Sequence, residues 1–332
     1  MERMKWVVRG GVFILCVSFL LVLGAPAATA GEAPKKITFV SGTVGGPWYN
    51  SAAAIAEILM KEIPGLQVTA TSGSSLGNVR MVDKGKDAQL AWTYASFVSN
   101  ARKGIGEFKQ PHPNVSVVLP GMQGVIYMIA TKKSGIKDWG DLKGKRLLTF
   151  RPGGIMEMVA RQTLELYGIT YEDIKKSGGT VNFIEFAQAV TLMKDGRADA
   201  TIVPGAADTP VAGVLELQEE MELVIPTVRP EIIQKFCDMN PGFATYQIPA
   251  GLYKFLKAPV DYPAGVGVLA CNRNLPDDFV YKLAKSVFEH RADMKAINKT
   301  YGYISKENLT RGVPKELFHP GAWKYIQEVQ AK

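Results

Sequence analysis

From Lys36 onward, apolar positions switch between two periods. Ile37-Thr38-Phe39-Val40 is a short β-rich run. Ala52, Ile55, Ala56, Leu59 and Ile63 then recur on one helical face, which Pro64-Gly65 stops. Val68 to Thr71 predicts a strand, Ser75 to Val82 a helix, and Gln89 to Tyr94 a strand that feeds a helix ending near Lys103-Gly104. Val115 to Leu119 follows as another apolar strand. A second series opens at Val125: a strand to Thr131, a short helix over Asp138 to Leu142 and a strand from Arg146 to Phe150. Met156, Val159, Ala160, Thr163, Leu164 and Tyr167 mark an amphipathic helix ended by Gly168, and Val181 to Phe186, Gln188 to Lys194 and Ala200 to Val203 complete the alternation. Strands and helices alternating at this interval mean βαβ units and a parallel sheet.

The two series echo each other. Leu192 to Ala200 (LMKDGRADA) repeats the plan of Met81 to Gln89 (MVDKGKDAQ): a helix ends at a charged turn with glycine and a strand follows. Asp199 and Gln89 stand at the strand entrances. Two similarly built α/β lobes are the expectation, with a ligand cleft where the carboxyl ends of their strands face each other.

Three Gly- and Ser-rich turns feed helices in that pattern: GTVGGPWYN (Gly42 to Asn50), SGSSLGN (Ser72 to Asn78) and RPGGIM (Arg151 to Met156). A helix start presents unpaired N–H groups and the positive end of the dipole, so it suits an anion. Trp48 and Tyr49 either wall such a cleft or pack beneath the turn. Ser72, Ser74, Ser75 and Asn78 offer short polar groups that cap the helix, touch a ligand, or do both. Thr93 and Tyr94 close a strand at its carboxyl end. Arg151 suits a forked pair with a carboxylate, or else a surface salt bridge. Gly153 and Gly154 expose backbone in the third turn, and Pro204 and Gly205 end the mirrored strand. Gln123 and Gln188 are weaker candidates.

Residues 1–30 read as an export signal. Arg3, Lys5 and Arg9 precede the apolar run Val12 to Leu23, and Ala28-Thr29-Ala30 predicts cleavage after Ala30. The run is shorter than the ~20 residues of a membrane span, an uncleaved anchor being the alternative. A periplasmic location follows. The remaining 302 residues, with 36 Lys and Arg against 30 Asp and Glu, suit two domains and a mild preference for an anionic ligand. Basic residues occur as short pairs, so no nucleic-acid partner is expected. Cys237 and Cys271 are either bridged or buried as small hydrophobes. No C-x-x-C or metal-ligand spacing occurs, and neither metal nor cofactor is expected. His319 reads as a cap or inter-lobe residue.

GTVGGPWYN, SGSSLGN, Ile136-Lys137-Asp138 with Leu142 to Arg146, Lys194 to Ala200 and the terminal FHPGAWKY (Phe318 to Tyr325) together resemble the TAXI family. These are the solute receptors of tripartite ATP-independent periplasmic (TRAP) transporters. The resemblance spans the chain beyond the leader. It implies a two-lobed type II periplasmic-binding-protein fold, each lobe a mostly parallel sheet flanked by helices, with two crossing segments. Lobe I would comprise 31–124 plus 245–332 and lobe II 125–244. It also implies a monomer that delivers a small organic anion, of the carboxylate or acidic amino acid class, to a TRAP-type membrane permease. The chain departs from the family in the third turn, where Gly153-Gly154-Ile155-Met156 lacks the usual hydroxyls, and at Thr93-Tyr94, where an acidic residue is common.

A ligand sensor for a membrane signalling protein would use the same fold. An exported hydrolase or transferase is the enzymatic alternative, for which the chain offers no H-E-x-x-H helix, phosphate loop or dinucleotide fingerprint.

Overall fold

The computed structural model describes residues 33–206 and 209–332, so the predicted leader lies outside the described residues. The first unit is βαβαβ: β1 (Lys36–Val40), α1 (Pro47–Glu62), β2 (Gln67–Thr71), α2 (Ser75–Lys84) and β3 (Leu90–Tyr94), followed by α3 (Ala95–Lys103). The long strand β4 (Val115–Thr131) leads into a second unit. It comprises β5 (Arg146–Thr149), α4 (Ile155–Leu166), α5 (Tyr171–Lys176), β6 (Thr180–Phe183), α6 (Phe186–Lys194) and β7 (Ala200–Ala206). Then come α7 (Ala212–Glu220), β8 (Leu223–Val224), α8 (Pro230–Met239), β9 (Phe243–Ile248) and β10 (Val260–Asn272). Helices α9 (Asp277–Glu289), α10 (Arg291–Ile297) and α11 (Pro320–Ala331) finish the chain.

All the described strands join one mixed sheet in the order β2-β1-β3-β10-β4-β7-β5-β6, with β8 on β4 and β9 on β10. Read from either outer edge, the order is the same: second strand, first strand, third strand. The pairs β1–β2, β1–β3, β5–β6 and β5–β7 are all parallel. The echo in the sequence is therefore a repeated unit. In both copies the helix ends in a left-handed glycine, Gly85 or Gly196, each at φ +66°. Gln89 Oε1 accepts from Thr38 N at 2.9 Å, and Asp199 Oδ2 accepts from Arg146 N at 2.8 Å. Each strand entrance thus binds the first strand of its own unit.

Between the units run β4 and β10, paired antiparallel with each other. The expectation of separate strands at Val115 to Leu119 and Val125 to Thr131 is corrected here: β4 is one strand of 17 residues. Its Pro120-Gly121 step does not end the strand, because the register shifts between Gly267 and Val268 and a bulge absorbs the proline. Both units share these strands, and Gly31–Lys332 forms one compact unit.

Helices cover the sheet through apolar faces. Ala52, Ile55, Ala56 and Leu59 of α1 are buried, as are Met158, Val159, Thr163 and Leu164 of α4. Both cysteines are free: Cys271 is buried in β10 and Cys237 half-buried on α8. His319 caps α11, its Nδ1 accepting from Gly321 N at 3.2 Å while Nε2 lies 3.1 Å from the Arg273 and Leu275 carbonyls. No helix among the described residues is long and apolar enough to cross a membrane.

Candidate functional site

Strand register places the carboxyl ends of the two units opposite each other. Tyr94, last in β3, pairs with Gly267, which pairs with Met122 of β4. Ala206, last in β7, pairs with Gly124. The two sets of strand ends therefore stop two residues apart along β4, roughly 7 Å at a strand's rise. The turns from β1 to α1, β2 to α2 and β5 to α4 leave these same carboxyl ends of parallel strands.

The first two turns are brought together. Gly73 N donates to Gly42 O at 3.2 Å and Ser41 N to Thr71 O at 2.9 Å. Asn78 Nδ2 donates to Ser41 O at 2.7 Å and to Trp92 O at 2.8 Å. Tyr301, far along the chain, holds the α1 start from behind: its hydroxyl bonds Ser51 Oγ at 2.6 Å and Pro47 O at 3.2 Å.

Helix α1 starts after Gly46 and α4 after Gly154, both without a side-chain cap. Nothing lies within 4 Å of where a Cβ would stand at Gly153 or Gly154. Arg151 is exposed and makes no hydrogen bond or ion pair with the described residues. The second start differs, since Ser74 caps α2 by accepting from Gly77 N at 3.3 Å. The start of α3 is covered: a Cβ on Gly242 would lie 2.9 Å from Ser96 N.

Aromatic rings form the floor. Trp48, half-buried, lies 5.2 Å from Tyr94 and 6.2 Å from Trp92 between ring centres, and its Nε1 donates to Met122 Sδ at 2.6 Å. Trp92 presses on the crossing strand so closely that a Cβ at Gly121 would sit 2.3 Å from its ring. Tyr94 is 4 % exposed and its hydroxyl faces Gly124, with no hydrogen bond to the described residues. Burial pushes that phenol well above its ordinary range. Tyr49 is half-buried and Ser72 exposed, neither bonded to the described residues.

Two expected ligand contacts are corrected. Asn78 is fully enclosed: its Nδ2 ties two strand ends, and its Oδ1 is shut in beside Gly73. Thr93 is fully enclosed as well, its Oγ1 donating to Ser75 O at 2.7 Å. Both hold the second turn rather than face the opening. Pro204 and Gly205 pair with Ile126 and Val125, and Gly205 is seated against the Tyr127 ring. Met122, Gly124, Gly267 and Tyr301 belong to the site and escaped the sequence reading. Glycines inside the long strands, where close backbone approach is the usual reason for them, were the available signal.

Gly73-Ser74-Ser75-Leu76-Gly77 carries the G-x-S-x-G spacing of a nucleophile elbow, on a strand–turn–helix. The triad is not there. His112 pairs with Asp83, His290 with Glu62 and Asp293, and His319 is spent as a cap, so no histidine is bonded to Ser75. No cluster of metal-ligating side chains occurs among the described residues. A surface crevice of about 570 Å³ lies elsewhere, between α7 and the 250–257 segment, lined by Leu215, Lys254 and Lys257.

Among solved structures, the chain is similar to XAC2383 from Xanthomonas citri bound to chloride ion, at 8 % identity and TM-score 0.50, covering 90 % of this chain and 97 % of that one. It is also similar to the periplasmic aliphatic sulphonate binding protein SsuA from Escherichia coli (13 % identity, TM-score 0.45, 89 % and 79 % covered). A third is an ancestral arginine-binding protein bound to arginine (15 %, 0.42, 83 % and 99 %). What the first of these shares with the chain is the fold: mixed α/β, a central sheet flanked by helices. Across residues 39–329 the sequence matches the NMT1-like family, and the chain belongs to that family.

Proposed function

We propose that this protein is an extracytoplasmic solute-binding protein, not an enzyme, which captures a small organic anion between its two βαβαβ units. One observation carries the reading: the strand carboxyl ends of both units converge on the middle of β4 and bring uncapped helix starts, α1 and α4, toward one place. Such starts supply N–H donors and a positive dipole end without a mobile side chain. Arg151 adds a forked cation, and Tyr94 a hydroxyl with no hydrogen bond to the described residues. The solute class that fits is a carboxylate or acidic amino acid, with Trp48 and Tyr49 against its apolar part.

On this reading lobe I is 31–124 plus 245–332, lobe II is 125–244, and β4 and β10 are the crossing segments. Export to the periplasm with cleavage after Ala30, a monomeric state and delivery to a TRAP-type permease complete the proposal. They are supported by the leader pattern and by the ordered motifs of the whole chain. The test is a thermal-shift panel of dicarboxylates, oxo acids and acidic amino acids. A ligand that binds only the folded state raises its melting temperature. A folded protein silent across the panel would contradict the anion class.

A further inference from the structure

An ion pair joins the second unit to the segment that follows α3. Arg161, on α4 of the second unit, places Nη2 2.5 Å from Oε1 of Glu107, in the segment between α3 and β4. Glu107 is a fixed post on the first unit. Arg80 of α2 donates to its carbonyl at 3.0 Å and lies over the ring of Phe108, 5.4 Å from its centre. Phe108 is buried against Phe97.

Arg161 is equally fixed on its own helix. Its Nε meets Glu157 Oε1 at 3.1 Å and its Nη1 meets Glu165 Oε1 at 3.4 Å. Glu157 is buried and depends on Arg161 for compensation of its charge. Of the three carboxylates around this guanidinium, two travel with α4 and only Glu107 belongs to the other unit. The pair is half-shielded, with 31 % of the arginine and 29 % of the glutamate side chain exposed, so solvent screens it incompletely. Arg161 stands six residues into α4, about 9 Å along the axis from the uncapped start. Any rotation that opens the units at this edge must lengthen or break the pair.

We propose that Arg161–Glu107 is a strap that draws the start of α4 toward the first unit before any solute arrives, and so sets how much of the free protein is already closed. This rests on the reading of the units as lobes flanking a cleft. Binding is weakened in proportion to the unpopulated share of the competent form, so such a strap tunes affinity from outside the site.

The test needs no solute, so its failure is separate from failure of the anion reading. Spin labels at Lys84→Cys and Lys175→Cys, both exposed positions, report the distance between units in a Cys237→Ser background. Glu107→Gln should shift the distance distribution of the free protein to longer values, and Glu107→Lys should shift it further. Glu165→Gln, which removes a partner within α4, should leave it where it is. Unchanged or shorter distances in the Glu107 variants would overturn the strap, as would equal widening in Glu165→Gln.

Discussion

Trp48 on the first turn and Met122 at the centre of β4 are joined by an indole N–H to sulfur contact of 2.6 Å. The turn that begins α1 is thereby fastened to the strand both units share. Replacing Trp48 by alanine removes that contact and the ring packing on Tyr94 and Trp92. The expected loss is about 3 kcal/mol of stability by urea unfolding. Trp48→Phe, keeping the ring, should lose clearly less.

A crowded glycine and an open one should behave oppositely. Gly121→Ala drives a methyl into the Trp92 ring and should destabilise by about 1–3 kcal/mol. Gly154→Ala meets nothing and has an ordinary negative φ of −124°, so its melting temperature should stay near that of the parent chain. If Gly154 borders the anion, that variant should nevertheless bind the best acid of the panel more weakly.

Arg151→Ala separates binding from folding in the same way. The side chain is exposed and unpaired among the described residues, so stability should change by less than about 0.5 kcal/mol. Loss of a charged hydrogen-bonding partner should cost about tenfold or more in carboxylate affinity, read by calorimetry. Unchanged affinity would remove Arg151 from the site.

The plan of the fold was legible because each local signal agreed with the global one: periodic runs, Gly85 and Gly196 as left-handed helix stops, and the echo that turned out to be one unit built twice. The crossing strands were not. Pro120-Gly121 reads as a break, and only the bulge opposite Gly267 and Val268 reveals why it is tolerated. Within the site, Asn78 and Thr93 show the limit most clearly. A polar residue beside a turn looks the same in sequence whether it faces outward or ties down two strand ends, and the partners that decide it, Ser41, Ser75 and Trp92, come from other strands and turns. Tyr301 is further still, reaching α1 from some 250 residues away.

Two histidines should titrate with opposite effects on stability. Burial holds His319 below its ordinary value of 6.5, against the pull of Asp277 and the carbonyls it meets. The unfolded chain therefore takes up a proton near 6.5 that the folded chain resists, and His319 should cost stability as pH falls through 6.5. His290 is raised, by Asp293 first and then Glu62, so its contribution is present below 6.5 and lost as pH climbs through its folded value. Thermal unfolding of His290→Gln between pH 5 and 8 should show the larger deficit at the acid end.

The central claim is that amide donors from both units hold one anion. A crystal structure with the acid that most raises the melting temperature tests it most directly. The account predicts a carboxylate between the starts of α1 and α4, within hydrogen-bond distance of backbone N–H groups from each. An acid seated instead in the crevice beside α7 and Lys254, with both helix starts empty, would contradict it.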